Sequence, residues 1–160
     1  MAVRKLFLSD FDAIDYDLIA IHTSLEDYRL AYFINQKFPI LLSKSFNFVE
    51  FQTTNGIAFF SKFCSAKKNG NEEWTLIENK DELLQINPKS SNDLFSEEEE
   101  KITTNVYFMP ELKKVNYFLK IESASIELED IMSKLKTITQ ISTAYWVDSD
   151  KLKSKNNLIF

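Results

Sequence analysis

The residue pattern predicts an α+β fold: a mixed or antiparallel sheet with two main helices packed on it, a central β-hairpin and a C-terminal β-α-β unit. Three observations lead there. Apolar residues recur at helical spacing over residues 25–38 and 126–138. Short aromatic and β-branched runs surround them, as strands require. Polar clusters carrying Asn, Gly, Pro and Ser separate the runs and mark turns. The 160 residues favour one domain spanning the whole chain, large enough to bury roughly 70% of its unfolded surface without staples.

The first strand is Asp17-Leu18-Ile19-Ala20-Ile21-His22-Thr23. Ser24 follows, with Asp27 three residues later, a near-capping box that marks a helix start. The helix runs from Leu25 to Phe38, where Pro39 stops it. Leu30, Ala31, Ile34 and Phe38 form its main stripe, extended by Leu25, Tyr28 and Tyr32. So broad an apolar surface predicts cover from two directions, by the chain itself or by a partner. A short strand is expected at 46–51. Strands at 57–65 and 73–79, linked through Asn69-Gly70, form the hairpin. Residues 87–101 read as a loop: Pro88, Ser90, Ser91 and Asn92 precede Leu94-Phe95 and the mutually repelling Glu97 to Glu100.

The C-terminal third is patterned most clearly. A strand from Val106 to Met109 ends at Pro110. Val115, Tyr117, Leu119 and Ile121 then alternate with Asn116, Phe118, Lys120 and Glu122, a strand with one apolar face. Leu128, Ile131, Met132, Leu135 and Ile138 stripe the second helix. Its acids sit early (Glu127, Glu129, Asp130) and its lysines late (Lys134, Lys136), matching the helix dipole, and Asp130 and Lys134 are four apart. A strand at 141–147 completes a β-α-β unit, expected parallel and right-handed. The apolar end, Leu158-Ile159-Phe160, either docks on the body or is recognised by a partner; docking is the favoured reading.

Composition narrows the function classes. A net charge of −5 opposes binding to nucleic acid or anionic membrane. The lysines at 151, 153, 155, 113 and 114 offer the one basic patch. No apolar run reaches the roughly 20 residues of a membrane span, and the N-terminal run stops at Ser9-Asp10, too short for a signal peptide. With one cysteine, Cys64, no internal disulfide forms, and a cytoplasmic location follows. Cys64 reads as a buried apolar residue and His22, the only histidine, as a structural strand residue. One Cys and one His argue against zinc, and two glycines against phosphate-cradling loops. Asp10 to Asp17 alternates acids but lacks the calcium-loop glycine and terminal Glu. No cofactor and no catalytic residue is therefore expected.

Residues 109–117 read Met-Pro-Glu-Leu-Lys-Lys-Val-Asn-Tyr. This resembles the signature of the IPExxxVDY family, small bacterial proteins of the Bacteroidetes lineage. Asp27-Tyr28-Arg29-Leu30, Tyr117-Phe118-Leu119-Lys120-Ile121 and the ending Lys151 to Phe160 are similar to that family as well. The resemblance spans nearly the whole chain and implies no established activity. Met109 replaces the signature's Ile, a packing swap. Asn116 replaces its Asp and cannot exchange a proton, so the position reads as a cap or turn contact. Glu111 is expected to pair with Lys113 or Lys114, or to cap a backbone amide.

A non-catalytic interaction or adaptor module, with a protein partner or a second copy, is the expected function. A ligand-binding regulatory domain of ferredoxin-like or ACT-like type, holding a small molecule, is the alternative. Tyr28, Arg29, Tyr32, Glu111, Tyr117 and Phe160 are the candidate binding residues, with Arg29 able to clamp an anion.

Overall fold

Strand alternation and one buried asparagine explain most of the architecture. The computed structural model describes residues 15–65, 71–87 and 100–160. In chain order the elements are β1 (Tyr16–Thr23), α1 (Asp27–Lys37), β2 (Leu42–Lys44), β3 (Val49–Thr53), β4 (Gly56–Phe60), β5 (Lys62–Ser65), β6 (Glu73–Glu78), β7 (Lys80–Asn87), β8 (Glu100–Tyr107), β9 (Tyr117–Glu122), α2 (Leu128–Lys136) and β10 (Ile141–Val147). Short 3-10 turns occupy Pro110–Leu112, Ser149–Lys151 and Lys155–Leu158. The fold is α+β: a six-stranded sheet ordered β10-β1-β9-β6-β5-β2, with β3-β4 and β7-β8 as separate two-stranded ribbons. Every paired strand is antiparallel.

Because strand side chains alternate, the sheet has two apolar faces. Ile19, Ile21, Trp74, Leu76, Leu119 and Ile121 point to one face, under α1 (Leu30, Ala31, Ile34) and α2 (Ile131, Leu135). Leu18, Ala20, Ile77 and Phe118 point to the other. There they meet Val49, Ala58 and Phe60 of the β3-β4 ribbon, then Phe108, Met109, Val115 and Leu158. Both helices thus share one face, and ribbons and chain end cover the other.

Several expectations change once pairing is known. The β-α-β unit is split: β1 lies between β9 and β10, antiparallel to each. The ends are parallel but not neighbours, because the long crossover leaves room for the first strand. The strand expected at 57–65 breaks at Ser61, where β4 leaves for β3 and β5 joins the main sheet. The single strand at 46–51 is replaced by β2 and β3. The loop expected at 87–101 is entered by β7 and left by β8; its residues 88–99, like Asn69-Gly70 and residues 1–14, lie outside the described residues. The strand expected at 106–109 is the end of β8, which stops at Tyr107, and Pro110 opens a 3-10 turn. The β9 strand is buried on both faces, since Phe118 is packed beneath the second layer.

Ser24 does not cap α1. Glu26 stands at the N-cap, without a side-chain cap bond, and Thr23 Oγ1 accepts the Leu25 amide at 3.1 Å. Among the described residues no second cover lies over α1, and Tyr28 and Tyr32 are 58% and 59% exposed. Cys64 is half-buried rather than buried, its thiol 3.9 Å from the Thr75 hydroxyl.

Asn79, fully buried between β6 and β7, joins the layers. Its amide donates to Asn116 O at 3.0 Å and its carbonyl accepts Phe108 N at 2.8 Å. Its side chain donates to Leu112 O and Val115 O and accepts Met109 N, all within 2.9 Å. Every polar atom of the residue is used. Replacing the side chain by Ala leaves the Val115 carbonyl and the Met109 N–H buried without partners, each costing about 1–3 kcal/mol, while Leu112 O keeps the Val115 amide at 3.1 Å. We expect Asn79→Ala to destabilise the fold by about 3 kcal/mol or more, read as a lowered denaturant midpoint with unchanged slope.

Candidate functional site

The segment 109–117 is chiefly a clamp. Asn116 Oδ1 accepts the Thr23 amide at 3.0 Å, and the Asn116 amide donates to Ile21 O at 3.1 Å, so the segment is stitched along the end of β1. Glu111 does not need Lys113 or Lys114. Its carboxylate accepts the Ser154 amide at 2.7 Å and the Ser154 hydroxyl, fastening the C-terminal segment. Burial pushes its carboxyl up, but these donors outweigh that and hold it below the usual range.

The chain end docks in part. Leu158 is buried, and its carbonyl accepts Lys120 Nζ at 2.9 Å. Lys120, itself buried, also pairs with Glu122 and lies 5.0 Å from the rings of Tyr16 and Phe160. A charge from the central strand is thus covered and fully matched. Ile159 and Phe160 stay 80% and 43% exposed, with the Phe160 ring also 6.2 Å from Phe108.

Of the expected binding residues, Tyr28, Arg29 and Tyr32 do lie together, outward on α1. Tyr32 Oη accepts Gln36 Nε2 at 2.8 Å. Glu111 and Phe160 lie on the other side of the sheet, with the second layer. Tyr117 is buried; its hydroxyl donates to Leu25 O at 2.9 Å, and burial, followed by Glu78 and Asp27, raises its pKa. It therefore packs and braces rather than presenting a free hydroxyl.

Tyr117 does form the floor of a cleft of about 260 Å³ lined also by Glu78, Lys80, Tyr107, Lys113 and Asn116. Desolvation, reinforced by Asp27 and Asp81, pushes the Glu78 carboxyl above its usual range, and Lys44 and Lys80 only partly oppose this. A second cleft, about 290 Å³, opens between Asp15–Asp17 and residues 123–128. No group of three or more Cys, His, Asp or Glu able to hold a metal occurs among the described residues. His22 sits on β1 beside Tyr145 of β10, their rings 5.7 Å apart. Cys64 is on β5, three strands away, about 14 Å by strand spacing, so the two cannot act as a pair. Of the basic patch, Lys151 and Lys155 are matched by Asp148 and Asp150. No helix among the described residues is long and apolar enough to cross a membrane.

One exposed apolar surface among the described residues was not anticipated. On the outer side of β3-β4, Ile57 and Phe59 are 41% and 46% exposed. Phe48 packs edge-on against Phe59 at 6.2 Å, and Phe46 nearby is almost wholly exposed. Asn55-Gly56, in the middle of this aromatic stretch, was the available signal for a ribbon here. Gly56 adopts φ +140°, open to glycine alone, and so turns the chain back.

A carboxyl whose folded pKa is raised costs stability as pH rises from the ordinary glutamate range through the raised value. Glu78→Gln keeps the shape without the charge. We expect it to raise Tm at neutral pH, with the gain vanishing once the pH falls below the ordinary glutamate range; Tm measured against pH for both proteins checks this. Compared with protein-family models, curated proteins and solved structures, the chain matches none.

Proposed function

We propose that this chain is a non-catalytic interaction module whose protein partner docks on the outer face of the β3-β4 ribbon. The carrying observation is the exposed Phe48–Phe59 pair, with Ile57 on the same face of the strand as Phe59. Contiguous exposed aromatics are costly in water and are the residue types that anchor interfaces. The reading also suits the confinement of Glu111 and Tyr117 to bracing. Membership of the IPExxxVDY family belongs to the same proposal, and rests on the signature at 109–117.

The runner-up is a small-ligand domain using the Glu78–Tyr117 cleft. Its volume falls just below the roughly 300–1,000 Å³ of ligand pockets. It would gain ground if saturating metabolites raised Tm.

The test is affinity purification of the tagged chain from its native cells beside a Phe48→Ser/Phe59→Ser variant. The expected result is a stoichiometric partner held by the wild type and bound at least tenfold more weakly by the variant, with unchanged far-UV circular dichroism. A clean preparation, or capture indifferent to the two substitutions, overturns the proposal. Deleting Leu158–Phe160 is a poor probe, because Leu158 is core. Leu158→Ala alone should cost about 3 kcal/mol, measured by chemical denaturation.

A further inference from the structure

The edge strand β10 has one bulge, at Ser142, where His22 pairs with Thr143 and Thr23 with Ile141, and the stretch 143–147 beyond it carries none of the usual protection. Edge strands expose unpaired backbone groups, and proteins blunt them with charges, prolines or bulges that turn the edge away. Residues 141–147 (Ile-Ser-Thr-Ala-Tyr-Trp-Val) contain no charge and no proline. Among the described strands β10 pairs only with β1, through six residue pairs, leaving its other side open. Trp146 on this strand is 49% exposed and Tyr145 37%. Trp146 pairs with Ile19 and so shares the helix-covered face, whereas Tyr145 pairs with Ala20 and lies on the opposite one.

The helix beside that edge carries a matching pattern. On the helical face of the sheet, α1 packs on β2 and α2 on β10, so α2 is the outer helix at the β10 end. Lys134 reaches towards α1, 5.5 Å from the Phe38 ring. At 100° per residue, the flank of α2 turned the other way carries Glu129, Met132, Ser133 and Lys136. Glu129, Ser133 and Lys136 are exposed and Met132 half-buried. An acid at one end, a base at the other and a thioether between them make a surface that matches its own copy when that copy runs antiparallel.

We propose that two copies of the chain join β10 to β10 in antiparallel register, centred near Ala144, to make one continuous sheet with α2 beside its copy. A two-fold axis normal to the sheet reverses both strand and helix. It sets Glu129 of each copy against Lys136 of the other, with the two Met132 side chains between. It also covers Trp146 in the groove formed beneath the helices. The backbone of β10 supplies the shared hydrogen bonds, and the charges decide which orientation is allowed. This surface is distinct from the β3-β4 ribbon and stands independently of the docking reading given above.

The test is the mass of the full chain by sedimentation and light scattering across a dilution series. The expected species has twice the 18.7 kDa of one chain. Trp146→Lys should be monomeric with wild-type circular dichroism. Glu129→Lys and Lys136→Glu should each weaken the dimer about tenfold, and the double variant should restore it. Phe48→Ser/Phe59→Ser should leave it intact, which separates this proposal from partner docking. A wild type that is monomeric at every concentration overturns the proposal, as does a dimer indifferent to Trp146→Lys. Failure of the charge-swapped double variant to recover from the single losses overturns the antiparallel arrangement.

Discussion

The buried amide of Asn79 is the contact on which the remaining architecture depends. It sits where β6 leaves the main sheet and β7 begins the second layer. Its backbone ties Asn116 and Phe108 together, and its side chain holds Met109, Leu112 and Val115. Fixing these five residues aims Phe108, Met109 and Val115 at Leu18, Ala20 and Phe118. Without that aim the second core would face a Val115 carbonyl and a Met109 N–H lacking partners, a penalty that apolar burial nearby does not remove. No buried side-chain nitrogen or oxygen among the described residues lacks a partner, which shows how fully the surrounding structure is matched.

The second layer closes through a similar exchange of polar groups. Lys120 rises from the middle of β9 into an apolar space and is accepted there by Glu122, the Leu158 carbonyl and two aromatic rings. The C-terminal segment is held again at Ser154 by Glu111, and Asn157 Nδ2 donates to Phe108 O at 2.8 Å. The signature and the chain end therefore act as one device. The signature's charged and polar residues hold backbone, and that bracing places Phe160 at the rim beside Lys62, 5.0 Å from its ring.

What remains exposed is uneven. One helical face and the inner ribbon faces are well covered, while the outer β3-β4 face, the β10 edge and the tyrosine flank of α1 are not. The first carries the Phe48–Phe59 pair, the second has no described strand paired to its outer side, and the third is a pair of tyrosines with polar neighbours. These differences in chemistry are why we propose a foreign partner for the first and a copy of the chain for the second.

Local periodicity in the sequence was enough to define both helices, β1, β9 and β10, and the α+β class, because a helix or strand that buries one face must repeat its apolar residues with its own period. Of the candidate site, the outward position of Tyr28 and Tyr32 was not legible, because periodicity set them in the apolar stripe of α1 and only the fold leaves them exposed. Sequence-local signals could not say that β1 inserts between β9 and β10, that 57–65 divides between two sheets, or that Phe118 and Lys120 are buried. Those outcomes depend on which distant segment covers a face. Asn79 was invisible for the same reason: a polar residue at the end of an expected strand shows its role only when the carbonyls of Leu112 and Val115 arrive from more than thirty positions away. Composition and period thus determined the elements, while long-range hydrogen bonding and burial decided their order, their neighbours and which surfaces were left open.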